Sequence, residues 1–215
     1  DAEYVLYEPE QIQYKSQIYQ GVKSNSFLSD DWQIVTLERL FKTICNESLT
    51  SMVWRIPEVE DRLKFLTDQV ERITGLQEFG VYLNKLFTID AIFLNEDRHM
   101  HNIAVMMNGK GEFDYCPIFD NGGALLTDTT MDYPLDQDEL LLMKEVHAKT
   151  ISSDFDEQLD ASEHFYGRNL RFSFTKKDVE RLLAKPELNM YDMRIRTRVT
   201  NIFYQQMNKY KYLFY

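Results

Sequence analysis

The chain has 215 residues, 44% hydrophobic and 13% aromatic, enough apolar material to fill a core of its own, so one domain or one large lobe is expected. Against 24 basic residues stand 35 acidic ones, a net charge of −11, which argues against direct nucleic-acid binding because neutralising a phosphate backbone takes a basic face. Two cysteines, Cys45 and Cys116, are too few for a disulfide framework or a cysteine-rich zinc site and read as reduced core thiols; with no apolar run of membrane-spanning length and no secretory leader, a cytoplasmic protein without a membrane partner is expected.

The chain begins at Asp1 rather than Met, which suggests a processed or truncated polypeptide. Residues 1–20 carry Tyr4, Tyr7, Tyr14 and Tyr19 without a clean period and read as irregular, with at most a short strand over 4–7. The segment 21–27 has the single glycine Gly21, too few for backbone N–H groups to wrap a phosphate, and reads as an ordinary loop. Over 32–44, Ile34, Leu37, Phe41 and Ile44 recur at helical spacing behind the cap candidates Asp30 and Asp31. A second helix is expected over 57–73 through Val59, Leu63, Leu66, Val70 and Ile73, with Pro57 in its first turn and Gly75 as its stop. The stretch 78–94 is apolar nearly all round, as a buried helix is, and it delivers the chain straight into Asn95-Glu96-Asp97-Arg98-His99-Met100-His101-Asn102.

Beyond that polar loop, 103–107 and 113–119 are β-prone runs separated by Asn108-Gly109-Lys110-Gly111, a hairpin signal. An antiparallel hairpin sets the start of its first strand beside the end of its second, so Asn102 and Asp120 are expected at one end, within reach of Asp97. One amide oxygen and one carboxylate suit a hard cation such as Mg²⁺, which takes oxygen ligands and leaves positions for phosphate, while Asp97 stays free to act on a hydroxyl. The acidic 132–139 reads as a surface loop into a helix over 138–146. Ser152 and Ser153 are cap candidates for a helix over 154–166 ended by Gly167, 171–174 reads as a short extended piece, and Thr175 opens a helix that Pro186 ends. A last helix is expected over 189–214, with Arg194, Arg196, Arg198, Lys209 and Lys211 on a solvated face.

The order Asp97-x-x-x-x-Asn102, hairpin, Asp120-x-Gly122 is similar to the protein-kinase order of catalytic Asp, metal-binding Asn and metal-binding Asp-x-Gly. The wording differs: Asp97-Arg98-His99 stands where a eukaryotic kinase has His-Arg-Asp, and Phe119-Asp120-Asn121-Gly122 where it has Asp-Phe-Gly. Asn95-x-Asp97-x-His99-x-x-Asn102 followed by Phe119-Asp120 resembles the HipA-like bacterial serine/threonine kinases, whose type member is a persistence toxin, and the phosphatidylinositol kinases use a related pattern. The resemblance is specific over 74–126 and extends more weakly along the rest.

It implies a mainly α domain with a small β-hairpin (α+β), the large C-terminal lobe of a protein-kinase-like fold across 1–215, with 1–31 as an N-terminal extension or hinge remnant and 95–123 as catalytic loop, hairpin and metal-binding Asp. It implies ATP-dependent phosphoryl transfer to a Ser or Thr hydroxyl of a protein substrate. Asp97 would orient the hydroxyl and accept its proton, Asn102 and Asp120 would hold Mg²⁺ and through it ATP, and His99 would orient the loop by a hydrogen bond. Arg98 and His101 are expected to face solvent or a phosphate. The sheet-rich small lobe of a kinase, with its phosphate-covering glycine loop and nucleotide-pairing lysine, finds no counterpart before Asp97, so it is expected to be truncated, on another chain or absent. A small-lobe or antitoxin-like protein is thus a candidate partner. Two rival readings stand beside this one: a phosphohydrolase holding a transition metal through Asp97, His99, His101 and Asp120, and a non-catalytic kinase-like module kept as a binding or regulatory surface.

Overall fold

A computed structural model describes residues 2–215. Strands β1 (Glu8–Tyr14), β2 (Gln17–Lys23) and β3 (Trp32–Thr36) precede helices α1 (Leu37–Cys45), α2 (Leu49–Trp54), α3 (Val59–Thr74) and α4 (Phe79–Phe93). The hairpin of β4 (Ala104–Asn108) and β5 (Phe113–Tyr115) follows, then α5 (Glu139–Glu145), α6 (Phe155–Tyr166), α7 (Lys176–Leu183) and α8 (Met193–Lys209).

Helix α4 is the axis of the fold. None of its residues is exposed, because two hydrophobic clusters meet along it: Leu83, Leu86 and Phe87 belong to the one under α1, α3 and the β4–β5 hairpin, Ala91 and Ile92 to the one under α6 and α8. Complete burial of side chains such as Leu86 and Phe87 is worth about 1.5–3 kcal/mol each. Packing is close enough to need a glycine: a Cβ on Gly80 would lie 2.2 Å from the Tyr166 ring on α6. Polar groups crossing the interior are paired, Asn84 Nδ2 donating to Ser162 Oγ at 3.0 Å and Gln206 Nε2 to the Ala91 carbonyl at 2.7 Å.

The strand content departs from the expected single hairpin. Residues 32–36 are not the first turns of a helix but β3, antiparallel to β4 with Ile34 opposite Met106, which makes a three-stranded sheet in the order β3-β4-β5. Consecutive Ile34, Val35 and Thr36 favour the extended state, and Thr36 caps α1 by accepting from the Arg39 N–H. The expected helical stripe therefore starts at Leu37, and Ile44 lies exposed. Residues 8–23 are likewise not irregular: β1 and β2 pair along their length, from Glu8 opposite Lys23 to Tyr14 opposite Gln17. Their turn places Lys15 at φ +50° and lacks the Asn-Gly or Gly signal that marks such turns in a sequence. Tyr4 forms only an isolated parallel bridge, to Ile118.

The helices after the site start later than expected. Asp154, not Ser152 or Ser153, caps α6, accepting from the Asp156 and Glu157 N–H groups, and Asp192 caps α8. Arg198 leaves the solvated face: it is buried and donates to the carbonyls of Tyr133 and Pro134, both at 2.6 Å. Of the thiols, Cys116 is buried, which pushes it up to about 12, while Cys45 is exposed, contrary to the expected core position. No helix among the described residues is long and apolar enough to cross a membrane.

Candidate active site

The loop of residues 94–102 leaves the C-terminus of α4, where Leu94 takes a left-handed conformation (φ +49°) and turns the chain back toward the sheet. What holds this loop is Arg98. The side chain expected at solvent or beside a phosphate is instead buried, with 1% of its surface exposed, and it is paired with Asp90, which is wholly buried on α4. Nε lies 3.1 Å from Asp90 Oδ2 and Nη2 lies 3.2 Å from Oδ1, and Asn95 Nδ2 donates to the same carboxylate at 2.9 Å. Burial pushes the Asp90 carboxyl above its usual range; the guanidinium and the Asn95 amide oppose that push.

The remaining Arg98 donors fix the two loops against each other. Nη1 donates to the Asn102 carbonyl at 2.9 Å and to the Phe119 carbonyl at 2.6 Å, and Nη2 to Asn121 Oδ1. The backbone entering β4 and the backbone leaving the hairpin therefore meet at one guanidinium, as the antiparallel geometry requires, and Asn102 and Asp120 share one end of it. Asn102 Nδ2 donates to the Asp97 carbonyl at 2.9 Å and approaches Asp97 Oδ2 at 3.4 Å. That leaves the Asn102 Oδ1, a hard oxygen, for a cation. Asp120 is exposed at φ +53°, a conformation that Asp tolerates better than most residues, and its N–H donates to the Tyr7 hydroxyl at 3.2 Å. Leu125 and Leu126, a few residues on, are also left-handed, at φ +55° and +57°. Strained backbone thus brackets the loop pair on both sides.

Close approach of the loops depends on Gly123. Its carbonyl accepts from the Glu96 N–H at 3.0 Å, and a Cβ there would lie 2.7 Å from Asp97 Cβ. Gly123→Ala is expected to lower stability by about 1–3 kcal/mol and to displace Asp97. Gly122→Ala is the control, because nothing lies within 4 Å of a Cβ at that position. Thermal melting and transfer activity of the pair check this; equal behaviour of the two variants would remove Gly123 from the account.

His99 sits beside Asp97, its Nε2 3.7 Å from Asp97 Oδ1, and its Nδ1 accepts from the His101 N–H at 3.3 Å. The His99 and His101 rings meet edge to face at 5.6 Å. Among the described residues no three His, Cys, Asp or Glu side chains converge as a metal-ligand set.

Asp90, Tyr133 and Lys149 are among the contributors from outside the expected stretch. Asp90 had a visible signal, an acid within a nearly apolar helix, which has to find a buried partner. Tyr133 had none: buried within the acidic 132–139, its hydroxyl donates to Glu96 Oε2 at 2.5 Å, and burial together with that carboxylate pushes the phenol well above its ordinary range. Lys149 had none either, lying in an unpatterned connection; its Nζ stands 3.9 Å from Asp97 Oδ1. Glu96, Asp97, Gly122, Gly123, Asp128 and Lys149 are among the residues lining a cleft of about 290 Å³ beside Asp97, which Asn102 and Asp120 do not line.

The fold is kinase-like. Among solved structures the chain is similar to a Helicobacter pylori proinflammatory kinase, CtkA, with a TM-score of 0.62 and 16% sequence identity over 96% of this chain and 78% of that one. No protein-family model and no curated protein matches the sequence.

Proposed function

We propose that this chain is the large lobe of a HipA-like kinase and carries out ATP-dependent phosphoryl transfer to a Ser or Thr hydroxyl of a protein substrate. The observation that supports the reading is Arg98: one buried guanidinium ties the Asn102 carbonyl to the Phe119 carbonyl and the Asn121 side chain that flank Asp120, which favours taking the base candidate and both metal-ligand candidates as one site. The likeness of the whole chain to a solved kinase supports it at the level of fold.

In this reading Asp97 orients the acceptor hydroxyl and takes its proton as transfer proceeds, and His99 holds the loop around it. Asn102 Oδ1 and the Asp120 carboxylate would hold Mg²⁺, which when bound neutralises charge on the nucleotide phosphates. Two protein oxygens fit that ion, whose other positions go to phosphate and water. Gly123, where a Cβ would meet Asp97, keeps a side chain out of the space beside it. A small-lobe or antitoxin-like protein is the candidate partner in this reading.

The test is incubation of the chain with Mg²⁺, γ-labelled ATP and a degenerate peptide library containing Ser and Thr. Label in phosphoserine or phosphothreonine is the expected result. Labelled inorganic phosphate released equally with and without peptide would support hydrolysis instead, and no label in either form would favour the non-catalytic module.

A further inference from the structure

We infer that Lys149 is the residue that grips the terminal phosphate of the nucleotide, an assignment that rests on the kinase reading. Three observations converge on it. First, the cleft beside Asp97 is lined by the carboxylates of Glu96, Asp97, Asp128 and Asp132, with Asn102 and Asp120 outside its lining, and Lys149 is the only cation among its described lining residues. A polyphosphate entering such a cleft meets repulsion from every side but that one. Second, the ammonium is placed without being spent. Its 3.9 Å separation from Asp97 Oδ1 is longer than a direct hydrogen bond, and half of the side chain is exposed, so its donors are open to an incoming anion. Third, its base is rigid. The neighbouring Thr150 is buried and donates through Oγ1 to the Arg98 carbonyl at 2.6 Å, while Ala148, also buried, donates its N–H to the Ser153 carbonyl at 3.0 Å. The loop that carries Lys149 is thereby clamped to the backbone of the loop that carries Asp97, although 52 positions separate Thr150 from Arg98.

The chemistry divides between the two side chains. As the acceptor oxygen bonds to the γ-phosphorus, the bond from that phosphorus to the β–γ bridging oxygen breaks and its electron pair leaves with ADP; the acceptor proton passes to Asp97. Lys149 keeps its proton throughout and supplies fixed positive charge to the γ-phosphoryl oxygens.

The rival role is structural: a loose ion pair that steadies the Asp97 carboxylate. Titration of Mg·ATP and of Mg·ADP into the whole chain separates the two. Lys149→Met is expected to lower ATP affinity about tenfold, as loss of a charge-assisted contact does, and to change ADP affinity less than about twofold; Lys149→Arg should retain the preference for ATP. Binding of both nucleotides by the unaltered chain, with the same ATP-to-ADP ratio in Lys149→Met, would overturn this assignment alone. Failure of the unaltered chain to bind either nucleotide would overturn the kinase reading, and this inference with it.

Discussion

Arg98→Met is expected to lower the stability of the fold by about 3–5 kcal/mol and to drop its melting temperature by about 6–20 °C. The substitution keeps an unbranched side chain of similar reach, so it leaves little void. What it leaves is the Asp90 carboxylate, wholly buried and deprived of its counter-charge. It also withdraws the donors from the carbonyls of Asn102 and Phe119 and from Asn121 Oδ1. Unpaired buried acceptors carry their own penalty, of about 1–3 kcal/mol each before relaxation. Asp90→Leu combined with Arg98→Met should be less damaging than the sum of the single changes, because the charge that Arg98→Met strands is gone. Denaturant melts of the two single variants and the double variant measure that coupling. A cost below about 1 kcal/mol for Arg98→Met, or strict additivity in the double variant, would mean that the pair does not organise the site.

Asp97→Ala and Asp120→Ala are expected to fail in different ways. Asp97→Ala should reduce transfer by about 10²–10⁴-fold while leaving Mg²⁺-dependent ATP binding intact or slightly tighter, since the group acts on the acceptor proton and its removal takes one negative charge from the cleft. Asp120→Ala should remove Mg²⁺-dependent binding and transfer together, because it deletes the only carboxylate of the two assigned ligands. Both side chains are at least partly exposed, so neither change leaves a buried group unpaired and the fold should survive. Parallel binding and transfer measurements on the two variants check the division. Equal loss of binding in both would contradict the separate roles.

Much of this arrangement was legible in the sequence, and the gaps have physical causes. The buried α4, the β4–β5 hairpin and the meeting of the backbone at Asn102 with that at Phe119 follow from apolar period, a glycine turn and antiparallel geometry, all local. Strand β3 was misread because its neighbours along the chain share a helical spacing, while the partner that makes it a strand, β4, lies about 70 residues away. The β1–β2 ribbon was missed because it is mostly exposed and its turn is built on Lys15 rather than on glycine. Arg98 was misplaced because a sequence shows charge but not burial; only Asp90, acidic inside an apolar helix, hinted that a buried cation was wanted. Lys149 and Tyr133 reach the site from segments with no periodicity, so nothing short of the folded chain reveals them.

The kinase reading is tested most directly by calorimetric titration of ATP into the whole chain, with and without Mg²⁺, beside Asp120→Ala. Binding that requires Mg²⁺ and disappears in the variant is the expected result. ATP binding that is indifferent to both Mg²⁺ and Asp120 would contradict it.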